Sequence, residues 1–175
     1  MTPVAGMDGA TKNFGLACPD GALLTLNARA KAEDPFRRLG QLEALLVRSL
    51  AVHPPRPVLV VIEGYLPHTP GTIATIRAGE VGGMARCVVY RLGAHLVICP
   101  PSRLKRFATG NGSADKPAMV ARAVELGAET DDHNQADAFL LRYLGRMGCG
   151  DISPSADHEA EVVAALTWPV LGRVA

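Results

Sequence analysis

The sequence predicts an α/β fold in which a mixed five-stranded sheet carries helices on both faces. Two observations lead to this prediction. Three short apolar segments near the N-terminus are joined by turn residues, and the later apolar segments alternate with segments that repeat at helical spacing. The resulting order is β-β-β-α-β-α-β-α, with the first three strands antiparallel. At 175 residues, the chain is long enough to form one buried core.

Three strands are predicted at the N-terminus. Each is a short apolar run, and glycine, proline and aspartate separate the runs, which is the pattern of an antiparallel meander. The runs are residues 4–7, 14–18 and 22–26. We therefore expect Asp8 at the end of the first strand, where a rigid element holds its carboxylate.

The middle of the chain alternates helices and strands. Apolar residues three and four positions apart predict a helix over residues 34–52, which Asp34 caps and Pro35 opens. Residues 58–62 are consecutive apolar residues, mostly β-branched, as in a central strand buried on both faces, and Glu63 ends this strand. The remaining predicted elements are helices over residues 73–92, 117–126 and 134–147 and a strand over residues 96–99.

The predicted domain organisation is simple. We expect one domain over residues 1–147, a linker over residues 148–157 and a short extension over residues 158–175, with one helix at residues 158–166.

Composition indicates a globular protein rather than a disordered one, because 48% of the residues are hydrophobic and 20% are charged. The four cysteines are scattered, with no C-x₂-C pair and no histidine cluster at zinc spacing. We interpret Cys18, Cys87 and Cys99 as small core residues. No signal peptide pattern is visible, and charged residues interrupt the most apolar window, residues 84–101. We therefore expect a reduced, cytoplasmic protein without a membrane span.

Three acidic residues end or interrupt apolar elements. Asp8 and Glu63 each end an apolar strand, and two adjacent strands of a mixed sheet can present such side chains to one point. Asp137 lies inside a helical pattern between Ala136 and Ala138, where an unpaired carboxylate is costly. Carboxylates that converge in this way need a cation, and oxygen ligands suit Mg²⁺ or Mn²⁺ better than zinc. Two such ions about 4 Å apart serve phosphodiester hydrolysis.

The residues before Asp137 add further candidates. Asn134 and His133 lie three and four positions before it, so the helical period puts them on the same face. Asp132 is rotated away, and we expect it to cap the helix. An acidic strand end before a Gly- and Thr-bearing turn, as at residues 8–11, also occurs in proteins that bind Mg²⁺-ATP. These residues alone are therefore compatible with both phosphodiester hydrolysis and the binding of Mg²⁺-ATP.

Five segments together resemble the RuvC family of Holliday-junction resolvases, within the RNase H-like superfamily. They are residues 6–15, 61–63, 76–86, 101–116 and 136–139. The most specific is residues 101–116, a basic helix followed by Thr-Gly-Asn-Gly-Ser-Ala-Asp-Lys. The resemblance runs from Val4 to about Gly145. It implies an RNase H-like nuclease domain with the activity of an endodeoxyribonuclease that cuts four-way DNA junctions. The implied cofactor is Mg²⁺, with two ions per active site, and Mn²⁺ is expected to support the activity as well.

The resemblance also implies the site residues. Asp8, Glu63 and Asp137 match three of the four metal ligands of the family. The fourth position, which is Asp or His in well-known members, is Asn134 here, and its uncharged amide leaves Asn134, His133 and Asp132 as candidates for that ligand. The DNA contacts expected are Lys12, Tyr65, Arg103, Lys105, Arg106 and Lys116. Lys105 and Lys116 match lysines that contact the phosphates near the scissile bond, and Lys116 is also counted as catalytic.

Further expectations concern partners and specificity. The resemblance implies a homodimer with two active sites on one face, in which residues 76–86 correspond to the dimer-interface helix. The position aligned with the family's stacking aromatic is Leu66, beside Tyr65, and the loop at residues 67–72 is slightly longer, so we expect a divergent or phage-type member in a bacterial or phage-infected cell. The sequence identifies no partner helicase.

Four rival functions remain on the sequence. Two are nucleases on the same fold, an RNase H-type ribonuclease and a branched-DNA nuclease. The third is an actin-like ATPase, which would need a second such domain across the nucleotide. The fourth is a junction-binding protein whose catalysis the asparagine at position 134 has weakened.

Overall fold

The computed structural model describes residues 1–9, 12–29, 34–64 and 73–171. Within these residues the chain forms five strands and six helices. The strands are β1 Val4–Asp8, β2 Phe14–Ala17, β3 Leu23–Leu26, β4 Leu59–Glu63 and β5 His95–Cys99. The helices are α1 Pro35–Val52, α2 Ile73–Arg91, α3 Pro101–Thr109, α4 Lys116–Glu125, α5 His133–Gly148 and α6 Asp157–Ala164.

The strands form one mixed sheet in the order β3-β2-β1-β4-β5. β1, β2 and β3 pair antiparallel, whereas β4 runs parallel to both β1 and β5. The predicted mixed sheet with three antiparallel strands at the N-terminus is therefore confirmed. β4 lies between β1 and β5, as its uninterrupted apolar sequence predicts.

Helices cover both faces of the sheet, which was also predicted. Successive side chains of β4 alternate between two cores, because side chains in a strand point to opposite faces. Leu59 and Val61 join the core that contains residues of α3, α4, α5 and α6. Val60 and Ile62 join the core that contains residues of α1 and α2. The expected core position of Cys87 is wrong: it is exposed, because the neighbouring Val88 and Val89 lie on the buried face of α2. Among the described residues, no helix combines the length and the apolar character that a membrane crossing requires.

Helix α3 is an element that periodicity did not identify. Apolar spacing predicts no helix directly after the strand at residues 96–99, where Pro100 and Pro101 follow, and only the resemblance indicates one there. In the structure Pro101 is the first helical residue, a position where proline is favoured because its missing N–H needs no partner. Gly110, at φ 75°, ends the helix in the left-handed conformation.

Helix α5 lies directly on β1 and β2, because glycines in these strands leave room for its backbone. A Cβ atom at Gly6 would overlap the carbonyl oxygen of Ala138, and one at Gly15 would overlap the carbonyl oxygen of Asn134. The small side chains of Ala136 and Ala138 are fully buried at this contact. The close approach fixes the height of α5 above the sheet and thereby the position of its polar side chains relative to the strand ends.

The segment after α5 folds back onto α3 and α4. Its predicted helix at residues 158–166 is observed as α6, Asp157–Ala164. The buried Glu159 accepts hydrogen bonds from Arg122 at 3.0 Å and from the backbone N–H of Ser155 at 2.6 Å. On the surface, Glu161 pairs with Arg106 of α3 at 2.6 Å. α6 therefore braces α3 and α4 and neutralises one cation of α3.

Candidate active site

Two carboxylates meet at the end of neighbouring parallel strands. Met7 of β1 pairs with Ile62 of β4, so the following residues, Asp8 and Glu63, reach the same edge of the sheet side by side. Their carboxyl groups are close enough for a proton on one of them to be donated to the other. Asp8 is buried, with 7% of its surface exposed, although an aspartate side chain in water is negatively charged at neutral pH. Burial of two adjacent acids is costly unless something compensates their charge.

Asp137 of α5 adds a third carboxylate to this pair. Its negative charge acts on both Asp8 and Glu63, which shows that the helix delivers it to the same point. Its Oδ1 atom is buried and makes no hydrogen bond within the described part of the chain. A buried carboxylate oxygen without a partner is expected where a cation completes the site. The oxygen-only donors suit a hard divalent cation such as Mg²⁺ or Mn²⁺.

The pKa values of these acids show how strongly the site disfavours three negative charges. Burial, and then the charges of Glu63 and Asp137, raise the pKa of Asp8 well above its ordinary value. Burial raises the pKa of Glu63 to about 7 and that of Asp137 to about 6. Lys105 and Lys116 oppose these shifts but do not cancel them. At neutral pH, full ionisation therefore requires an additional positive charge.

This predicts how the stability of the metal-free protein depends on pH. The pKa of Glu63 rises from 4.5 to about 7 on folding, so the folded state holds a proton that the unfolded state releases between these values. The stabilising contribution of that proton is complete below about pH 4.5 and is lost as the pH rises through about 7. In EDTA, we expect Glu63→Gln to unfold at nearly the wild-type temperature at pH 4 and at a higher temperature at pH 8. Equal Tm differences at the two pH values would contradict this result.

Asp132 caps α5, as predicted, and its oxygens are engaged. Oδ1 accepts hydrogen bonds from the backbone N–H and from Nδ2 of Asn134, at 2.8 and 2.9 Å. Oδ2 accepts a hydrogen bond from the hydroxyl of Thr25 on β3 at 2.5 Å. Because Nδ2 of Asn134 is used here, its Oδ1 is the amide atom that remains for a metal. The sequence analysis did not identify Thr25, since a threonine in a strand is an ordinary β-forming residue.

His133, the other alternative for the fourth ligand, is engaged by a lysine. The Nζ atom of Lys116 lies 2.8 Å from Nε2 of His133, which accepts the hydrogen bond. These contacts occupy both carboxylate oxygens of Asp132 and one ring nitrogen of His133. Lys116 in turn is held close enough for its charge to act on Asp8 and Asp137.

The other cations predicted to contact DNA are arranged in three ways. Lys105 of α3 is half-buried, and its charge acts on Glu63 and Asp137. Arg103 donates a hydrogen bond to the carbonyl of Ala165 at 2.8 Å, and Arg106 forms the ion pair with α6 described above. Lys12 is exposed and lines a separate cavity between α1 and α2. Tyr65 lies outside the described residues, as does the loop at residues 67–72.

Comparison with known proteins identifies relatives over most of the chain. No protein-family model matches it. The crossover junction endodeoxyribonuclease RuvC of Anaeromyxobacter sp. (strain K) is 30% identical over 149 residues, which cover 79% of this chain and 77% of that protein. The protein of the same name from Rhodococcus opacus (strain B4) is 34% identical over 90 residues, which cover 49% of this chain and 47% of that protein.

Solved structures with a similar fold have lower sequence identity. The Thermus thermophilus RuvC structure superposes with a TM-score of 0.63 at 21% identity and covers 83% of this chain and 96% of that chain. T. thermophilus RuvC in complex with Holliday junction substrate superposes with a TM-score of 0.65 at 20% identity, covering 81% and 91% respectively. At these identities the similarity establishes the fold, which is RNase H-like.

Proposed function

The chain belongs to the RuvC family of crossover junction endodeoxyribonucleases, and we propose that it resolves four-way DNA junctions by hydrolysing phosphodiester bonds. The observation that carries the proposal is the convergence of Asp8, Glu63 and Asp137 at one edge of the sheet, with Lys105 and Lys116 beside them. Buried acids with raised pKa values next to lysine side chains are suited to a reaction at a phosphate group.

We propose that Mg²⁺ is the cofactor, with two ions per site, and that Mn²⁺ can replace it. Asp8, Glu63, Asp137 and Oδ1 of Asn134 would hold these ions, and the unpartnered Oδ1 of Asp137 supports this assignment. When bound, the ions supply activation of a water molecule and stabilisation of charge on the leaving oxygen. Asp132 accepts hydrogen bonds from Nδ2 of Asn134 and from the hydroxyl of Thr25, and it thereby keeps the amide of Asn134 oriented for this role.

The two lysines have complementary roles in this proposal. Lys116 is oriented by His133, so its ammonium group is positioned before DNA binds. Lys105 lies on α3, which α6 braces through Glu161. Both ammonium groups lie near the acids and would contact the phosphates on either side of the scissile bond. They would fix the backbone in line for hydrolysis and stabilise the negative charge of the transition state.

Removing the Lys105 ammonium group tests the phosphate contact. Lys105→Ala should weaken junction binding and lower the slope of log K against log salt concentration by about 1, because one fewer counterion is released. Fluorescence anisotropy over a salt series measures both quantities. The control is Arg56→Ala, an exposed cation that precedes β4 and therefore lies at the edge of the sheet opposite Glu63. An unchanged slope in Lys105→Ala would exclude this contact.

We further propose that the active form is a homodimer joined through α2. On this helix Ile76, Glu80, Gly83, Cys87 and Tyr90 are exposed at alternating spacings of four and three, which is the pattern of a seam between two helices. Ile76 is 55% exposed and Tyr90 is 85% exposed, which is unusual for a helix of a monomer at two positions on one stripe. The glycine in this stripe allows two helix backbones to approach closely.

A charge in this stripe should separate the subunits. Ile76→Glu is expected to shift the protein from dimer to monomer in sedimentation velocity and to replace paired cuts by single nicks, because the second active site is no longer held on the same junction. The matched control is Val124→Glu, which adds the same charge at an exposed apolar residue of α4. A dimer that survives Ile76→Glu, or a wild-type protein that is monomeric, would contradict the α2 interface.

The function itself is tested with a panel of substrates. Labelled four-way junction, linear duplex and RNA/DNA hybrid are incubated with the protein in Mg²⁺, in Mn²⁺ and in EDTA. We expect metal-dependent paired nicks in the junction alone. Preferential cleavage of the hybrid would indicate a ribonuclease, and ATP hydrolysis without DNA cleavage would indicate an ATPase. Tight junction binding with no cuts in either metal would identify a binding protein.

A further inference from the structure

A second group of potential metal ligands lies at the end of β2 that is farther from the acids. β2 begins beside Asp8, which pairs with Gly15, and ends beside Gly6, which pairs with Ala17. Cys18 follows this end, Asp20 lies in the turn to β3, and His53 ends α1. Among the described residues, these three side chains bring one sulfur, one oxygen and one nitrogen atom within 4.8 Å of one another.

The three side chains are held by a rigid local structure. Within the turn, the N–H of Gly21 donates to the carbonyl of Cys18 at 3.0 Å, and the N–H of Ala22 donates to Oδ1 of Asp20 at 3.0 Å. Gly21 has φ 105°, a left-handed conformation that glycine adopts without strain. Arg142 of α5 donates a hydrogen bond to the carbonyl of Pro19 at 2.9 Å. The turn is therefore anchored to the helix on the opposite face and does not depend on a ligand for its shape.

The exposure of the side chains permits a cation to enter. Cys18 is fully buried, whereas the side chains of Asp20 and His53 are 34% and 27% exposed. Oδ2 of Asp20 and Nδ1 of His53 are 2.8 Å apart, which is a hydrogen bond in the metal-free protein. A cation would replace the proton between these two atoms and would reach the sulfur below them.

We propose that Cys18, Asp20 and His53 bind one zinc ion, which joins the β2–β3 turn to the C-terminal end of α1. Mixed sulfur, nitrogen and oxygen donors suit zinc, whereas Mg²⁺ requires oxygen ligands. Burial raises the pKa of the Cys18 thiol to about 12, so the ion would displace the thiol proton into solvent on binding. The resulting thiolate and the carboxylate would together balance the two positive charges of the ion. Three protein ligands leave one position of a tetrahedral site for water, on the exposed side of the group.

Such an ion would act on stability rather than on cleavage. Cys18 and His53 are 35 positions apart in sequence, so the ion would cross-link two elements that otherwise meet through apolar contacts and the hydrogen bond between Asp20 and His53. Any ligand that binds only the folded state raises its stability by mass action. The proposal does not depend on the nuclease activity, because the group lies away from Asp8 and shares no residue with that site.

Cobalt is the probe that tests the site. The 175-residue protein is stripped with a chelator, reduced, and titrated with Co²⁺ in excess Mg²⁺, which competes at oxygen-only sites. We expect one equivalent of Co²⁺ to produce the near-ultraviolet charge-transfer band of a cobalt–thiolate bond, and Zn²⁺ to displace it. Zn²⁺ should also raise the Tm of the wild-type protein.

Three variants assign the band to this group. Cys18→Ser should abolish it, and Cys87→Ser, which changes an exposed cysteine of α2, should leave it intact. His53→Gln, at a half-buried position that tolerates the change, should weaken zinc binding at least about 100-fold, more than an outer-shell change, and decides the question if Cys18→Ser fails to fold. Absence of the band in wild-type protein, its survival in Cys18→Ser, or an unchanged zinc affinity in His53→Gln would overturn the proposal.

Discussion

Replacing Asp8 by asparagine should reduce junction cleavage by about 10³-fold or more while junction binding is retained. Asparagine has the same shape but carries no negative charge, so it removes a ligand from the buried acidic cluster without opening a cavity. Loss of one preorganised electrostatic group in an active site typically has an effect of this size. Single-turnover cleavage and anisotropy with the same labelled junction measure the two effects separately.

The same substitution should not harm the fold. The pKa of Asp8 is raised by burial and by the neighbouring acids, so the neutral amide relieves repulsion, and in EDTA at pH 8 the Tm should equal or exceed that of the wild type. Asp131→Asn is the matched control, because Asp131 is exposed just before α5. Cleavage at the wild-type rate by Asp8→Asn would remove Asp8 from the active site, and loss of the fold would invalidate the comparison.

Replacing Gly15 by alanine should damage both stability and cleavage. The new Cβ atom would overlap the carbonyl oxygen of Asn134, and a helix backbone cannot move aside as a flexible side chain does. Overpacking of a core typically costs about 1–3 kcal/mol, and this contact should reach at least the upper value. For a protein of this size, that corresponds to a fall in Tm of about 6–12 °C.

Cleavage by the folded fraction of Gly15→Ala should also fall, since α5 must rise from the sheet and carry Asn134 and Asp137 away from Asp8. Gly40→Ala is the control, because Gly40 lies in α1 and, apart from its chain neighbours and the backbone of its own helix, no described atom lies within 4 Å of the position of a Cβ. That change should stabilise the helix by about 0.5–1 kcal/mol. A wild-type Tm and cleavage rate in Gly15→Ala would show that α5 is not held in this way.

Local patterns were sufficient for most of the fold. The apolar runs and turn residues predicted all five strands to within one residue at either end of each. Helical spacing predicted α1 and α5, and the cap residues Asp34 and Asp132 indicate where these two helices begin. α3 was missed by periodicity because a proline pair ends a strand and opens a helix with the same two residues. A proline pair of this kind can mark the end of a strand or the first residue of a helix, and the sequence alone does not show that it does both here.

The candidate site could be predicted from the sequence only in part, because some of its contacts join elements that are distant along the chain. Asp8 and Glu63 could be identified because each ends an apolar strand, and Asp137 because an acid interrupts an apolar helix. The engagement of His133 by Lys116 and of Asp132 by Thr25 depends on contacts between elements that are distant along the chain. No local spacing encodes such contacts.

The proposed zinc ligands illustrate the same limit of local sequence patterns. Cysteine spacing gave no sign of a metal site, because the known zinc patterns place ligand pairs a few residues apart. Cys18 and Asp20 lie close to His53 only because α1 packs on the sheet and ends beside the β2–β3 turn. The resemblance implied that Arg103 and Arg106 contact DNA, and the sequence could not show that residues after α5 would fold back to bind them.

Cleavage of a supercoiled plasmid that extrudes a cruciform tests the central claim most directly. Two symmetric cuts made while the protein remains bound yield linear plasmid, whereas a single nick releases the supercoiling, reabsorbs the cruciform and yields open circles. We predict linear product in Mg²⁺ and in Mn²⁺, none in EDTA and none with Asp8→Asn. Intact plasmid in both metals, under conditions where the protein binds a four-way junction, would contradict the assignment of Asp8, Glu63 and Asp137 as the active site of a resolvase.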